Sequence, residues 1–446
     1  MDPGRRQSIL DPDTYVRGVP EDVLAELREE SPVVWLDEPA VDPWPAGPGG
    51  WAVLRHADVR SVLHRPDVFS SWLGATQVRD PATPEALAYV RRMMLNLDPP
   101  EHSRLRGLLN RAFTPRAIAR LEERISTWAR ELVSSVAADG EADFAKVAAD
   151  LPLLTLAEVF GVPSEDRWLM FDWSNRVIGY QDPDYAVSAY AASAAGAGRS
   201  TDIARQAMAL RPEPDAAGRM PDPRTRGGMP DLYAYANALG EYKRRNPGDD
   251  VMSNLMTHVD DEGGRVSIEE FENLFWLFSV AGNETLRNGI PGGMVALMTR
   301  PEAQQRVRAD RSLLPGAIEE MLRWWTPVMH FRRTATVDTE LAGTKIAAGD
   351  KVIVWFSSAN RDPATFGADA GEFRIDRSPN EHLSFGHGPH FCLGASLARM
   401  QMRAMFSAVL DLLGEVEPAG EPVRLRSNFQ NGIKSLPVRW SPLSPP

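Results

Sequence analysis

Only one cysteine, Cys392, occurs in the 446 residues. It lies within Phe385-Gly386-His387-Gly388-Pro389-His390-Phe391-Cys392-Leu393-Gly394. A lone Cys is ordinarily a small, buried, inert hydrophobe. Here Gly386, Gly388 and Pro389 are crowded just before it, a composition that makes a tight, non-repetitive loop in which glycine supplies left-handed dihedrals. Gly394 lets the backbone approach whatever the sulfur holds. A sulfur presented in this way suits a thiolate metal ligand, with its donor strength tuned by amides pointing at it. Structural zinc needs four protein ligands, and no second Cys exists to help. A metal held by one protein ligand must bring the others with it, and haem iron does so.

Three other stretches carry groups capable of chemistry. Ala281-Gly282-Asn283-Glu284-Thr285 places an acid beside a hydroxyl in an apolar helix. A buried acid there needs a partner, whereas a helical Thr can simply bond back to its own carbonyls. His102 and Arg106, in Pro99-Pro100-Glu101-His102-Ser103-Arg104-Leu105-Arg106, are four apart. They share one face of a helix that begins after the prolines, and the plain reading is a solvated polar face. Glu320 and Arg323 are three apart and can pair on a helix; a surface pair of this kind contributes little.

Taken together these stretches resemble the cytochromes P450. Phe-Gly-His-Gly-x-His-x-Cys-Leu-Gly looks like their haem-thiolate loop, and the other motifs follow in the family's order over roughly residues 40 to 440. The resemblance implies a single domain over 1–446, mainly α with small β-sheets, and haem b as cofactor. It implies Cys392 as iron ligand, with His102, Arg106, Arg333 and His390 on the haem propionates and Ala281 and Phe385 against the ring. It gives Glu284 and Thr285 proton delivery at the oxygen-binding face. Glu320 and Arg323, joined by Arg377, become a buried structural support. By position, Leu277, Val280, Ala281, Val328, Met329 and Phe429 would line an apolar substrate pocket. Ala-Gly-Asn-Glu-Thr followed by Arg287-Asn288 is similar to actinobacterial enzymes acting on sterols, branched lipids and terpenoids. Leu286 departs from the pattern by replacing a common second Thr.

The implied activity is mono-oxygenation of a hydrophobic small molecule with O2. No flavin or iron–sulfur segment is evident, so electrons are expected from a separate ferredoxin and its NAD(P)H-dependent reductase. A peroxygenase or isomerase of the same fold, or a haem sensor without turnover, are the alternatives; the Glu284-Thr285 pair argues against the first.

The elements that must position these residues are partly legible. Gly50 to Leu54 reads as a strand, followed by a helix from Ala57 to His64. Ser267-Ile268-Glu269-Glu270 is a capping box opening the helix that carries Glu284. Pro291, with Gly289, Gly292 and Gly293, is expected to kink or break that helix one to two turns after Thr285. Ala395 to Leu413 is a periodic helix behind the cysteine, its N-terminal amides favouring negative charge on sulfur. The first 45 residues, rich in Pro and Asp, are expected to wrap the surface. Residues 191–230 are expected as an extended, mobile lid or insertion.

Composition narrows the partners. The net charge is −12 and no basic run is present, which argues against nucleic acid. No apolar run approaches the ~20 residues of a membrane span, and the N-terminus lacks the apolar core of a signal peptide. The expected location is therefore the cytoplasm.

Overall fold

A computed structural model describes residues 3–41, 45–113, 115–178, 182, 200–216, 220–223, 225–259 and 264–441. In chain order, the elements that matter for the site are α1 (Glu21–Glu30), β1 (Val33–Leu36), β2 (Gly50–Val53), α2 (His56–His64), β3 (Phe69–Ser70), α3 (Glu101–Ala112), α4 (Arg167–Ile178), α5 (Asp202–Met208), α6 (Pro230–Arg245), α7 (Ile268–Ala281), α8 (Glu284–Met298), α9 (Leu314–Trp325), β4 (His330–Ala335), β5 (Lys351–Trp355) and α10 (Ala395–Leu412). Helices dominate and the sheets are small, as the resemblance implies. The chain forms two compact units, one of residues 1–80, 126–150 and 285–446, the other of 81–125 and 151–284.

The first unit is built on a five-stranded sheet of order β1-β2-β5-β4-β3. Only the β2–β5 pair is parallel. Successive side chains on a strand face opposite sides, and the two sides bury different sets. Val33, Val53, Val352 and Val354 pack with Val59, Val62 and Leu63 of α2. Val34, Leu36, Ala52, Ile353 and Trp355 pack with Val23, Leu24 and Leu27 of α1, together with Ile9 and Leu10. Strand β5 is therefore apolar throughout, because both of its faces are covered. The expectation that residues 1–45 wrap the surface is corrected. Ile9, Leu24 and Leu36 are fully buried, and the Pro and Asp residues only punctuate a segment that supplies one layer of the core.

The break expected at Pro291 is also corrected. Helix α8 runs through Pro291 without interruption. The lost hydrogen bond is offset by packing that the neighbouring glycines permit. A Cβ on Gly292 would sit 2.2 Å from the Trp325 ring, and one on Gly293 would meet Met321 and Phe406 at 2.9 Å. The break falls earlier, between α7 and α8. Gly282 closes α7 by donating to Phe278 O at 3.0 Å, and its own Cβ would collide with Leu156.

In the second unit the capping box forms as expected. The Ser267 side chain accepts from Glu270 N while Glu270 accepts from Ser267 N. Helix α7 is buried on nearly every side, with Phe275 at the centre of an aromatic cluster that includes Phe160, Trp173 and Tyr235. Of the expected 191–230 lid, residues 191–199, 217–219 and 224 lie outside the described residues. The rest is not all extended. Thr201 caps α5 by accepting from Ala204 N, and Ala204 and Ala207 are buried.

Gly292→Ala forces a methyl group into the Trp325 ring. Overpacking of this kind costs about 1–3 kcal/mol, so the variant should melt several degrees below the parent in a calorimetric scan, with its spectrum otherwise intact.

Candidate active site

In the first unit, the cysteine loop is closed by three backbone bonds. Gly386 N donates to Leu383 O at 2.9 Å, Phe391 N to Gly388 O at 3.0 Å, and Cys392 N to Phe385 O at 2.9 Å. Gly386 and Gly388 both have φ of +69°, the left-handed region that the sequence demanded of them. A Cβ on Gly388 would also lie 2.4 Å from Leu63 O, so this residue brings the loop against α2. Cys392 is exposed, as is Phe391 before it. Helix α10 starts three residues later, its N-terminal amides favouring negative charge nearby.

The loop is held from behind by buried charge. Arg323 grips Glu320 with two 2.7 Å bonds and donates to the carbonyls of Asn360, Ala370 and Glu372. Arg377 reaches the same carboxylate at 3.2 Å, the partner implied by the resemblance. Asn360 carries the support forward, accepting from Leu383 N at 2.7 Å and donating to Ser384 Oγ at 2.9 Å. These are the residues immediately before Phe385.

A second network, missed in the sequence, lies beside it. Arg399 of α10 holds Glu319 with two 2.7 Å bonds, and its guanidinium stacks 4.6 Å over the Phe385 ring. His382 bonds the same carboxylate at 3.2 Å. Burial pushes Glu319 up, but the bonds from Arg399 and His382 outweigh it and hold the carboxyl at about 2. The charge of Cys392 is felt at Arg399, whose basicity is raised chiefly by Glu319.

Arg333 lies buried on β4, where its Nη1 donates to Arg332 O at 2.8 Å. His390 Nε2 is 3.3 Å from Ser71 Oγ. Val328, Met329 and Phe429 are brought together. Val328 bridges Gln430, and Met329 N donates to Phe429 O at 3.0 Å. Met329 and Phe429 are buried and Val328 is half-buried. Thr285, in the first turn of α8, is half-buried.

In the second unit, α3 starts at Glu101, directly after the two prolines. It carries buried His102 and half-buried Arg106. Leu277 and Val280 of α7 are almost wholly buried, while Ala281 is exposed at the end of this otherwise covered helix. Glu284 is 1% exposed and accepts a 3.0 Å bond from the equally buried Ser174 of α4. Sequence reasoning missed Ser174, because no local pattern marks a partner 110 residues away.

The donor set fits the expected haem. A single exposed thiol suits a metal that brings its other ligands with it, and among the described residues no three His, Cys, Asp or Glu side chains cluster to hold a metal. Also among the described residues, no helix is long and apolar enough to cross a membrane.

Comparison with known proteins agrees with this reading. The family model for Cytochrome P450 matches residues 237–425. The methyl-branched lipid omega-hydroxylase of Mycobacterium tuberculosis is 40% identical, the match covering 95% of this chain and 91% of that one. The steroid C26-monooxygenase of Mycolicibacterium smegmatis is 37% identical, covering 97% and 93%. Among solved structures, CYP108D1 from Novosphingobium aromaticivorans superposes with a TM-score of 0.81 at 31% identity, covering 99% of both chains. A Mycobacterium marinum cytochrome P450 in complex with pseudoionone gives 0.78 at 34%, covering 94% of both.

Arg323→Ala leaves Glu320 buried without its main partner. Losing one member of a buried pair costs about 3–5 kcal/mol. Urea unfolding should show a loss of this size, and haem should leave the variant faster than the parent in a competition with apomyoglobin.

Proposed function

The chain belongs to the cytochrome P450 family and is a haem mono-oxygenase, and we propose that it hydroxylates the end of a methyl-branched alkyl chain, in a lipid or a steroid side chain. The two relatives named for omega-hydroxylation of methyl-branched lipids and for steroid C26 oxidation support this class. When bound, the haem supplies oxygen activation, with one atom of O2 entering a C–H bond and the other leaving as water.

The observation that carries the site assignment is the closed, left-handed loop presenting an exposed Cys392. Cys392 ligates the iron through Sγ. Its backbone N–H bond to Phe385 O fixes the position of the residue in the loop, and the positive Arg399 and the N-terminus of α10 favour the thiolate form a metal ligand needs. His102, Arg106, Arg333 and His390 hold the propionates, Arg being suited to a carboxylate by its two parallel donors. Ala281 and Phe385 would contact the ring when haem is bound. Glu284 and Thr285 bring protons to the reacting oxygen; an apolar pocket lined by Leu277, Val280, Ala281, Val328, Met329 and Phe429 would otherwise exclude them. Electrons come from a ferredoxin and its NAD(P)H-dependent reductase. All of this proceeds in the cytoplasm, in a single catalytic domain.

Reduced parent protein under CO should show the red-shifted Soret band of a thiolate-bound haem, and Cys392→Ser should lose it. An unchanged band in the variant would remove Cys392 from the iron. Proton delivery by a positioned group is typically worth ~10²–10⁴-fold. Thr285→Ala should therefore bind substrate normally, as read by the haem spin-state shift, yet consume NADH while O2 is reduced to hydrogen peroxide instead of forming product.

A further inference from the structure

Buried hydroxyls in helices usually bond back to the carbonyl four residues earlier. Two near this site do so: Thr155 Oγ1 donates to Leu151 O at 2.8 Å, and Ser279 Oγ to Phe275 O at 2.7 Å. Ser174, fully buried on α4, does not. Its hydroxyl donates instead to Glu284 Oε1, 3.0 Å away.

The side chains around Ser174 fix the direction in which it points. Asp172 and Arg176, one turn apart, pair at 3.1 Å. Arg176 also pairs with Asp231 of α6, and Arg211 reaches Asp172 at 2.7 Å. Trp173 Nε1 donates to Asp231 Oδ2 at 2.8 Å, and its ring packs on Tyr235 and Phe275. Asp172, Arg176 and Asp231 are all buried, and among the described residues Asp172 Oδ1, Asp231 Oδ1 and Arg176 Nη1 have no hydrogen-bond partner. An apolar cluster would hold α4 to α6 at lower cost; what buried charge adds is a unique register. A rotation of α4 by one residue would break every one of these contacts and turn Ser174 away from Glu284.

We propose that Ser174 is a positioning residue for Glu284, fixing the orientation of the carboxylate that delivers protons. A buried carboxylate needs hydrogen-bond donors to stay in place. Ser174 supplies one from a helix whose register is locked by the Asp172–Arg176–Asp231–Arg211 cluster. Glu284 is then properly held only when α4 is docked on α6.

The inference rests on the proton-delivery role of Glu284, and the test separates the two. In ferric holoenzyme labelled with ¹³C-glutamate, the infrared difference between parent and Glu284→Gln isolates the Glu284 carboxylate stretch. Ser174→Ala should shift that band and Ser174→Thr should restore it. With a surrogate ferredoxin and reductase, Ser174→Ala should form about tenfold less product per NADH, the effect of losing one bond to a charged group. It should also show a larger solvent isotope effect, while the CO band and substrate spin shift stay parental. Ser174→Thr should recover both coupling and isotope effect. A parental carboxylate band in Ser174→Ala overturns the proposal. So does a coupling loss that Ser174→Thr does not recover, which marks a packing defect. If Glu284→Gln itself keeps parental coupling, proton delivery by Glu284 fails, while the band shift still reports the Ser174 bond.

Discussion

The buried carboxylate of Glu320 is the constraint on which the cysteine loop depends. Two arginines and the amide of Asn380 converge on it, and Glu320 and Arg323 have no exposed side-chain surface. A buried carboxylate without partners would cost several kcal/mol, so the arginines have little freedom. Arg323 then spends its remaining donors on carbonyls at 360, 370 and 372. Those carbonyls belong to a stretch with almost no regular structure, which no sheet or helix ladder could hold. Asn360 passes the constraint to Leu383 and Ser384, and the loop that presents Cys392 begins at the next residue. A buried ion pair therefore bears, through Asn360, on where the sulfur sits.

A similar device operates in the second unit. The apolar packing of α4, α6 and α7 would tolerate several relative rotations, because aromatic rings such as Trp173, Tyr235 and Phe275 stack in many ways. The buried Asp172, Arg176 and Asp231 accept one. In both units, polar groups inside apolar layers cost stability and fix geometry, and each set leads by hydrogen bonds or helix register to a residue for which we propose a role in the reaction: Cys392 in one, Glu284 in the other.

The sequence disclosed what depends on local backbone needs. The positive-φ glycines at 386 and 388, the Ser267 capping box and the start of α3 after Pro99 and Pro100 all follow from neighbours within a few residues. Glu320 with Arg323, one helical turn apart, was equally visible. What the sequence hid depends on distant packing. Pro291 reads as a breaker, yet Gly292 and Gly293 let Trp325, Met321 and Phe406 press so close that the helix continues. Residues 1–45 read as surface because Pro and Asp obscure Ile9, Leu10, Leu24 and Leu36, whose partners on β2 and β5 come later in the chain. The Ser174–Glu284 and Arg399–Glu319 contacts are both long-range, and no spacing rule reaches them.

The central claim is that the protein inserts one atom of O2 at the end of a methyl-branched alkyl chain. The most direct measurement is ¹⁸O₂ labelling with a methyl-branched lipid or a sterol, a ferredoxin, its reductase and NADH, with the product read by mass spectrometry. The account predicts a terminal alcohol carrying a single ¹⁸O, and no label when ¹⁸O is supplied only as water. A product whose oxygen comes from water, or one that forms equally well without ferredoxin, would contradict it.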